Sequence, residues 1–123
     1  MSVRIDVRQA GEVSVMACQG QITLGGSATE FRNTIRQVIQ RGAKRIVIDL
    51  GGVSYLDSTG IGELVGAFTN AYNAGAAVKL SSLPAKIYEL LQITRLVTVF
   101  EIHPDEAAAV RSFEHPPDGS GGR

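Results

Sequence analysis

The residues with the clearest chemical potential are Asp57-Ser58-Thr59-Gly60, followed by Ile61-Gly62-Glu63. A carboxylate and two hydroxyls stand there side by side. Downstream, Ile61, Leu64, Val65, Phe68, Ala71 and Tyr72 recur at helical spacing, which predicts a helix over 59–74 with those residues on its apolar face. The first turn of a helix has N–H groups without partners and carries the positive end of the dipole, so a hydroxyl there is well placed to bear a phosphate. Ser, Thr and Asp are also the ordinary helix caps, and capping alone accounts for the three together. Two features point past capping. Ile61 and Gly62 stand where a capping box would need Glu or Gln. Gly62 and Gly66 each cost about 1 kcal/mol of helix propensity relative to Ala, which predicts a close approach there by the sheet beneath or by a partner above.

Other chemistries find little support. A serine nucleophile needs a base and an orienting group. The histidines are His103, expected at a strand–helix junction as a turn or capping residue, and His115, in a Gly- and Pro-rich terminal stretch. The chain contains neither a G-x-S-x-G elbow nor a G-x-x-x-x-G-K-[ST] loop. Gly25-Gly26-Ser27 is read as a loop and N-cap before it is read as a phosphate cradle. Carboxylates and histidines are not clustered for a metal, so no metal, no cofactor and no enzymatic activity are expected.

The 123 residues suffice for one domain, and 44% apolar content is that of a packed globule. A formal net charge of +0 offers no basic excess for nucleic acid. The lone Cys18, in an apolar run, reads as a buried thiol in a reducing compartment. The N-terminus lacks the pattern of a secretory signal, and no apolar run approaches the roughly 18 residues of a membrane span. A cytoplasmic protein is expected.

Around the central stretch, Val3–Arg8 alternates as a half-solvated strand, Ala10-Gly11-Glu12 is a turn, and residues 13–19 form a second strand hairpinned to the first. Residues 20–26 are expected to leave the sheet. Ser27-Ala28-Thr29-Glu30 reads as a capping box. The helix it opens buries Ala28, Phe31, Ile35, Val38 and Ile39, exposes Arg32, Asn33, Arg36, Gln37 and Gln40, and stops at Gly42. Residues 44–50 form a buried central strand closed by Gly51-Gly52; Asp49, its one charge, reads as a functional carboxylate near the strand end or, preferred here, as a solvated residue on a twisted edge. Strand 44–50, helix 59–74 and strand 77–81 make a βαβ unit with parallel strands, and a site belongs at the carboxyl end of such a strand, where Asp57-Ser58 lie. Pro84 opens a helix that buries Ile87, Leu90 and Leu91; Thr94-Arg95 ends it. Residues 97–102 are the last strand, Pro104 opens a final helix, and 114–123 is expected to be a disordered tail behind a domain spanning 1–113. The fold class is α/β: a mixed sheet of about five strands with about four helices, mostly on one face.

With Asp57-Ser58-Thr59-Gly60-Ile61-Gly62 preceded by Arg45-Ile46-Val47-Ile48-Asp49-Leu50, the chain resembles STAS domains of the anti-sigma factor antagonist type, over about residues 3–112. The resemblance implies phosphorylation of Ser58, with Thr59 a distant second, by a partner that is both anti-sigma factor and serine kinase. It implies a serine phosphatase that resets the switch, and release of a sigma factor by the dephosphorylated form, as in stress-response or sporulation control. Asp57, Ser58, Thr59, Gly60, Ile61, Gly62 and Glu63 are then the partner-binding residues; once Ser58 carries a phosphate, the nearby Asp57 and Glu63 are expected to sharpen repulsion of an acidic or tightly packed partner. The family commonly has an acidic residue where Thr23 stands. Alternative readings are a non-switching STAS scaffold, a lipid-transport accessory domain, and a nucleotide-binding domain.

Overall fold

The computed structural model describes residues 2–114. Its elements run β1 (Val3–Ala10), β2 (Val13–Ile22), α1 (Gly26–Gln40), β3 (Arg45–Leu56), α2 (Ser58–Asn73), β4 (Ala77–Ser81), α3 (Ala85–Ile93), a 3-10 turn (Leu96–Thr98), β5 (Glu101–His103) and α4 (Glu106–Glu114). The strands form one sheet in the order β1-β2-β3-β4-β5. The β1–β2 pair is antiparallel, and β2–β3, β3–β4 and β4–β5 are parallel. The expected hairpin, βαβ unit and mixed sheet are all present.

Alternation along β3 sorts the two faces of the sheet. Ile46, Ile48 and Leu50 join Met16, Cys18, Phe31, Ile35, Leu64, Ala67, Leu80 and Leu91 in the main core, under α1, α2 and α3. Val47 points the other way, into a smaller cluster with Val13, Val15 and Ala109 under α4. Three helices therefore cover one face and α4 covers part of the other, as expected.

Several boundaries differ from the sequence reading. β3 does not end at Gly51-Gly52 but continues to Leu56. β2 likewise runs through Gly20 to Ile22 instead of leaving the sheet. The β2–β3 register shifts between Ala17 and Gln19 and again between Gly20 and Gln21. A Cβ at Gly52 would press on Gln19 and on the Cys18 carbonyl, so the glycine marks a bulge where two backbones approach, not a strand end. The last strand is only Glu101–His103, because Leu96–Thr98 forms a 3-10 turn and Phe100 turns inward to meet Phe68 edge-to-face at 5.7 Å. Asp105, not Pro104, caps α4, accepting the Ala108 N–H at 2.8 Å. α4 extends to Glu114, and the rest of the expected tail lies outside the described residues.

Asp49 is not a solvated edge residue. It sits in the central strand, where its Oδ2 accepts hydrogen bonds from the Ser81 hydroxyl at 2.9 Å and the Ser82 hydroxyl at 2.6 Å. Its Oδ1 accepts the Gly51 N–H at 2.9 Å. His103 closes β5: its carbonyl accepts the Ser82 N–H at 3.1 Å and its Nε2 lies 2.6 Å from Glu101 Oε2.

Candidate functional site

The β2–β3 pairing ends with Ile22 opposite Leu56. The chain therefore leaves the sheet at the carboxyl ends of two neighbouring strands, into the loop before α1 and into the start of α2. This places Thr23-Leu24-Gly25 beside Asp57-Ser58. Asp57 caps α2, and its Oδ1 accepts the Gly60 N–H at 2.8 Å. Its Oδ2 accepts the Leu24 N–H at 2.9 Å, clasping the neighbouring loop. Those N–H groups, Leu24 first and Gly60 next, hold the Asp57 carboxyl below the ordinary aspartate range.

Ser58 is the first residue of α2 and is exposed; Thr59 is half-buried. Gly60 is buried against β2, where a Cβ would collide with the Ile22 carbonyl oxygen. The close approach expected at Gly62 and Gly66 occurs instead at Gly60. Among the described residues nothing lies within 4 Å of a Cβ built at Gly62 or Gly66, which removes the sheet as the reason for either glycine. Ser58, Gly62 and Gly66 fall at i, i+4 and i+8, one small-residue face along α2.

Ile61 is half-buried. The buried residues of α2 are Gly60, Leu64, Ala67 and Ala71; Tyr72, expected on the apolar face, is 74% exposed. Glu63 is turned to α1, its Oε2 3.3 Å from Arg32 Nη1. Arg32 is therefore an inter-helix ion-pair partner, not part of a purely solvated face, and it neutralises the carboxylate that was expected to sharpen repulsion at the site.

The expected capping box of α1 does not form. Gly25 occupies the cap position with φ 106. Ser27 lies inside the helix and turns back on the loop: its Oγ accepts the Thr23 N–H at 2.9 Å and donates to the Thr23 carbonyl at 3.2 Å. Thr23 is thereby buried with Ser27 under the loop, and Leu24 is left 78% exposed beside Asp57. Leu24 was not singled out in the sequence, where its only mark is a lone large apolar residue in a polar loop. Tyr55, the next-to-last residue of β3 before the site, is also largely exposed, beside a groove against Lys86, Ile87 and Leu90 of α3.

The STAS domain profile matches residues 4–109. The chain belongs to the STAS domain family. This STAS domain is 31% identical over 111 residues to the anti-sigma-B factor antagonist of Bacillus subtilis, an alignment covering 90% of this chain and 100% of that protein. It superposes on an anti-sigma factor antagonist from Mycobacterium paratuberculosis with a TM-score of 0.84 at 21% identity, covering 92% and 95% of the two chains. Against the phosphorylated form of the Bacillus cell fate determinant SpoIIAA the TM-score is 0.71 at 18% identity, with 89% and 99% covered. Among the described residues, no helix of this STAS domain is long and apolar enough to cross a membrane.

Proposed function

We propose that this STAS domain is a cytoplasmic anti-sigma factor antagonist, a binding protein without catalytic activity, whose affinity for its partner is set by phosphorylation of Ser58. The partner is an anti-sigma factor serine kinase, and a serine phosphatase restores the binding form. The observation that carries this reading is the exposed Ser58 hydroxyl at the start of α2, on a helix face that Gly62 and Gly66 leave bare, beside the protruding Leu24. The relative in Bacillus subtilis is named for antagonism of an anti-sigma factor, and one structural neighbour is a phosphorylated form, which supports both halves of the reading.

The switch is local. Unphosphorylated, the patch is small and neutral at Ser58. Phosphate adds a charge of about −1.5 to −2. The Asp57 carboxylate already takes the Gly60 N–H, so the new group has a like charge next to it and one fewer first-turn donor to use. An uncompensated charge facing outward at a water-excluding interface lowers affinity steeply.

Incubation with the cognate kinase and ATP, followed by peptide mapping, tests the site. Phosphate is expected at Ser58. Ser27 and Ser81 are buried and hydrogen-bonded, so phosphate found mainly on either would overturn the assignment.

A further inference from the structure

β1 is an end strand of the sheet, eight residues long, and no other described strand lies beyond it. The direction of its backbone groups follows from its pairing with β2. The Gln21 N–H donates to the Ser2 carbonyl at 3.0 Å, and the register runs unbroken from Val3 opposite Gly20 to Ala10 opposite Val13. In an antiparallel pair, alternate residues exchange hydrogen bonds with the partner strand. Ser2, Arg4, Asp6 and Arg8 therefore bond to β2, while Val3, Ile5, Val7 and Gln9 aim their N–H and C=O groups outward.

An unpaired edge of this length is a template for another strand, and proteins usually blunt such edges with charge or proline. The charges on β1 are of mixed sign and their spacing is self-complementary. Arg4 and Asp6 share one face and are exposed, with side chains 75% and 60% accessible and only a 3.6 Å contact between them. A two-fold axis at Ile5 sets Arg4 of one copy opposite Asp6 of the other, twice. It also pairs Val3 with Val7 and Ile5 with Ile5, all outward-bonding residues. An axis at Asp6 or Arg4 instead opposes like charges. An axis at Val7 needs Arg8 for its ion pair, and Arg8 is already engaged by Glu106. Val7, 40% exposed in the single chain, gains an apolar neighbour in the pairing about Ile5.

We infer that the outer edge of β1 is a self-association surface, on which two copies of this chain pair antiparallel about Ile5 into one continuous sheet. Ser58 follows β3, two strands in from this edge, so the pairing leaves both copies of the candidate site open. The inference does not depend on the role of Ser58.

Sedimentation equilibrium of the full chain, from micromolar to millimolar concentration, tests it through charge reversal. The native chain is expected to show a reversible monomer–dimer equilibrium. Arg4→Asp and Asp6→Arg, each of which opposes like charges twice, should each raise the dissociation constant about tenfold. The double variant Arg4→Asp/Asp6→Arg should restore it to near the native value. Amide exchange provides a second readout: exchange at Ile5 and Val7 should slow as concentration rises. A chain that stays monomeric throughout, a dimer indifferent to the single reversals, failure of the double reversal to rescue, or concentration-independent exchange at Ile5 would each overturn the inference.

Discussion

Oδ2 of Asp57 accepts the backbone N–H of Leu24 at 2.9 Å, so the residue that caps α2 also holds the loop that leads into α1. One carboxylate thus fixes two of the surfaces that flank Ser58, and the arrangement of the candidate site depends on its charge. The Asp57 carboxyl is held below its ordinary range in the folded protein. The sign follows: the contribution is fully present above the unfolded-state value and is lost as pH falls through the lower, folded value. Asp57→Ala is expected to lower the thermal midpoint at neutral pH, to flatten the acid limb of the stability profile, and to speed amide exchange at Leu24. An unchanged Leu24 amide would show that the loop is held by something else.

The glycines of α2 should separate cleanly. Gly60→Ala drives a Cβ into the Ile22 carbonyl and is expected to cost about 1–3 kcal/mol by overpacking. Gly62→Ala and Gly66→Ala meet open space and should each stabilise by up to ~1 kcal/mol through helix propensity. Denaturant unfolding of the three variants measures this. If Gly62 and Gly66 are bare to admit a partner, the same stabilised variants should bind the anti-sigma factor more weakly.

The Arg32–Glu63 pair joins α1 to α2 at 3.3 Å with both side chains partly shielded. A double-mutant cycle with Arg32→Ala and Glu63→Ala is expected to give a coupling of about 0.5 kcal/mol that shrinks at high salt. A coupling of zero at low salt would return Glu63 to the set of free charges around Ser58.

Cys18 is 1% exposed in the main core, and burial first, with the Asp49 charge second, pushes its thiol up to about 12. It should stay silent toward a thiol-reactive dye in native buffer at pH 8 and react at once in denaturant. Rapid modification of the native chain would mean that the β2 core opens far more readily than its packing implies.

Much of the fold was legible because its signals are local. The alternation of Val3–Arg8, the apolar run at Ile46–Leu50 and the boundaries of β4 come straight from periodicity. The misreadings share one cause, which is tertiary context overriding a local signal. Gly51-Gly52 looks like a strand end and is a bulge within one, because only the neighbouring β2 shows why the backbone needs room. Ser27 matches a capping box but is drawn back to Thr23. Tyr72 fits helical spacing yet is exposed, and the face that α2 buries runs through Leu64, Ala67 and Ala71 instead. The site itself was visible at Ser58. Its second wall at Leu24 was not, because the Leu24–Asp57 bond joins residues that sequence separates and only the Ile22–Leu56 pairing brings together.

The measurement closest to the central proposal is a comparison of partner affinity and fold between two forms of this chain, unphosphorylated and phosphorylated at Ser58, each verified by intact mass. Calorimetric titration with the cognate anti-sigma factor should show affinity falling about a hundredfold or more on phosphorylation. Amide chemical shifts should move only near Leu24 and residues 57–62, and Ser58→Ala should bind yet resist switching. Equal affinity of the two forms, or shifts spread through β3 and β4, would contradict a switch that acts at the surface of an unchanged fold.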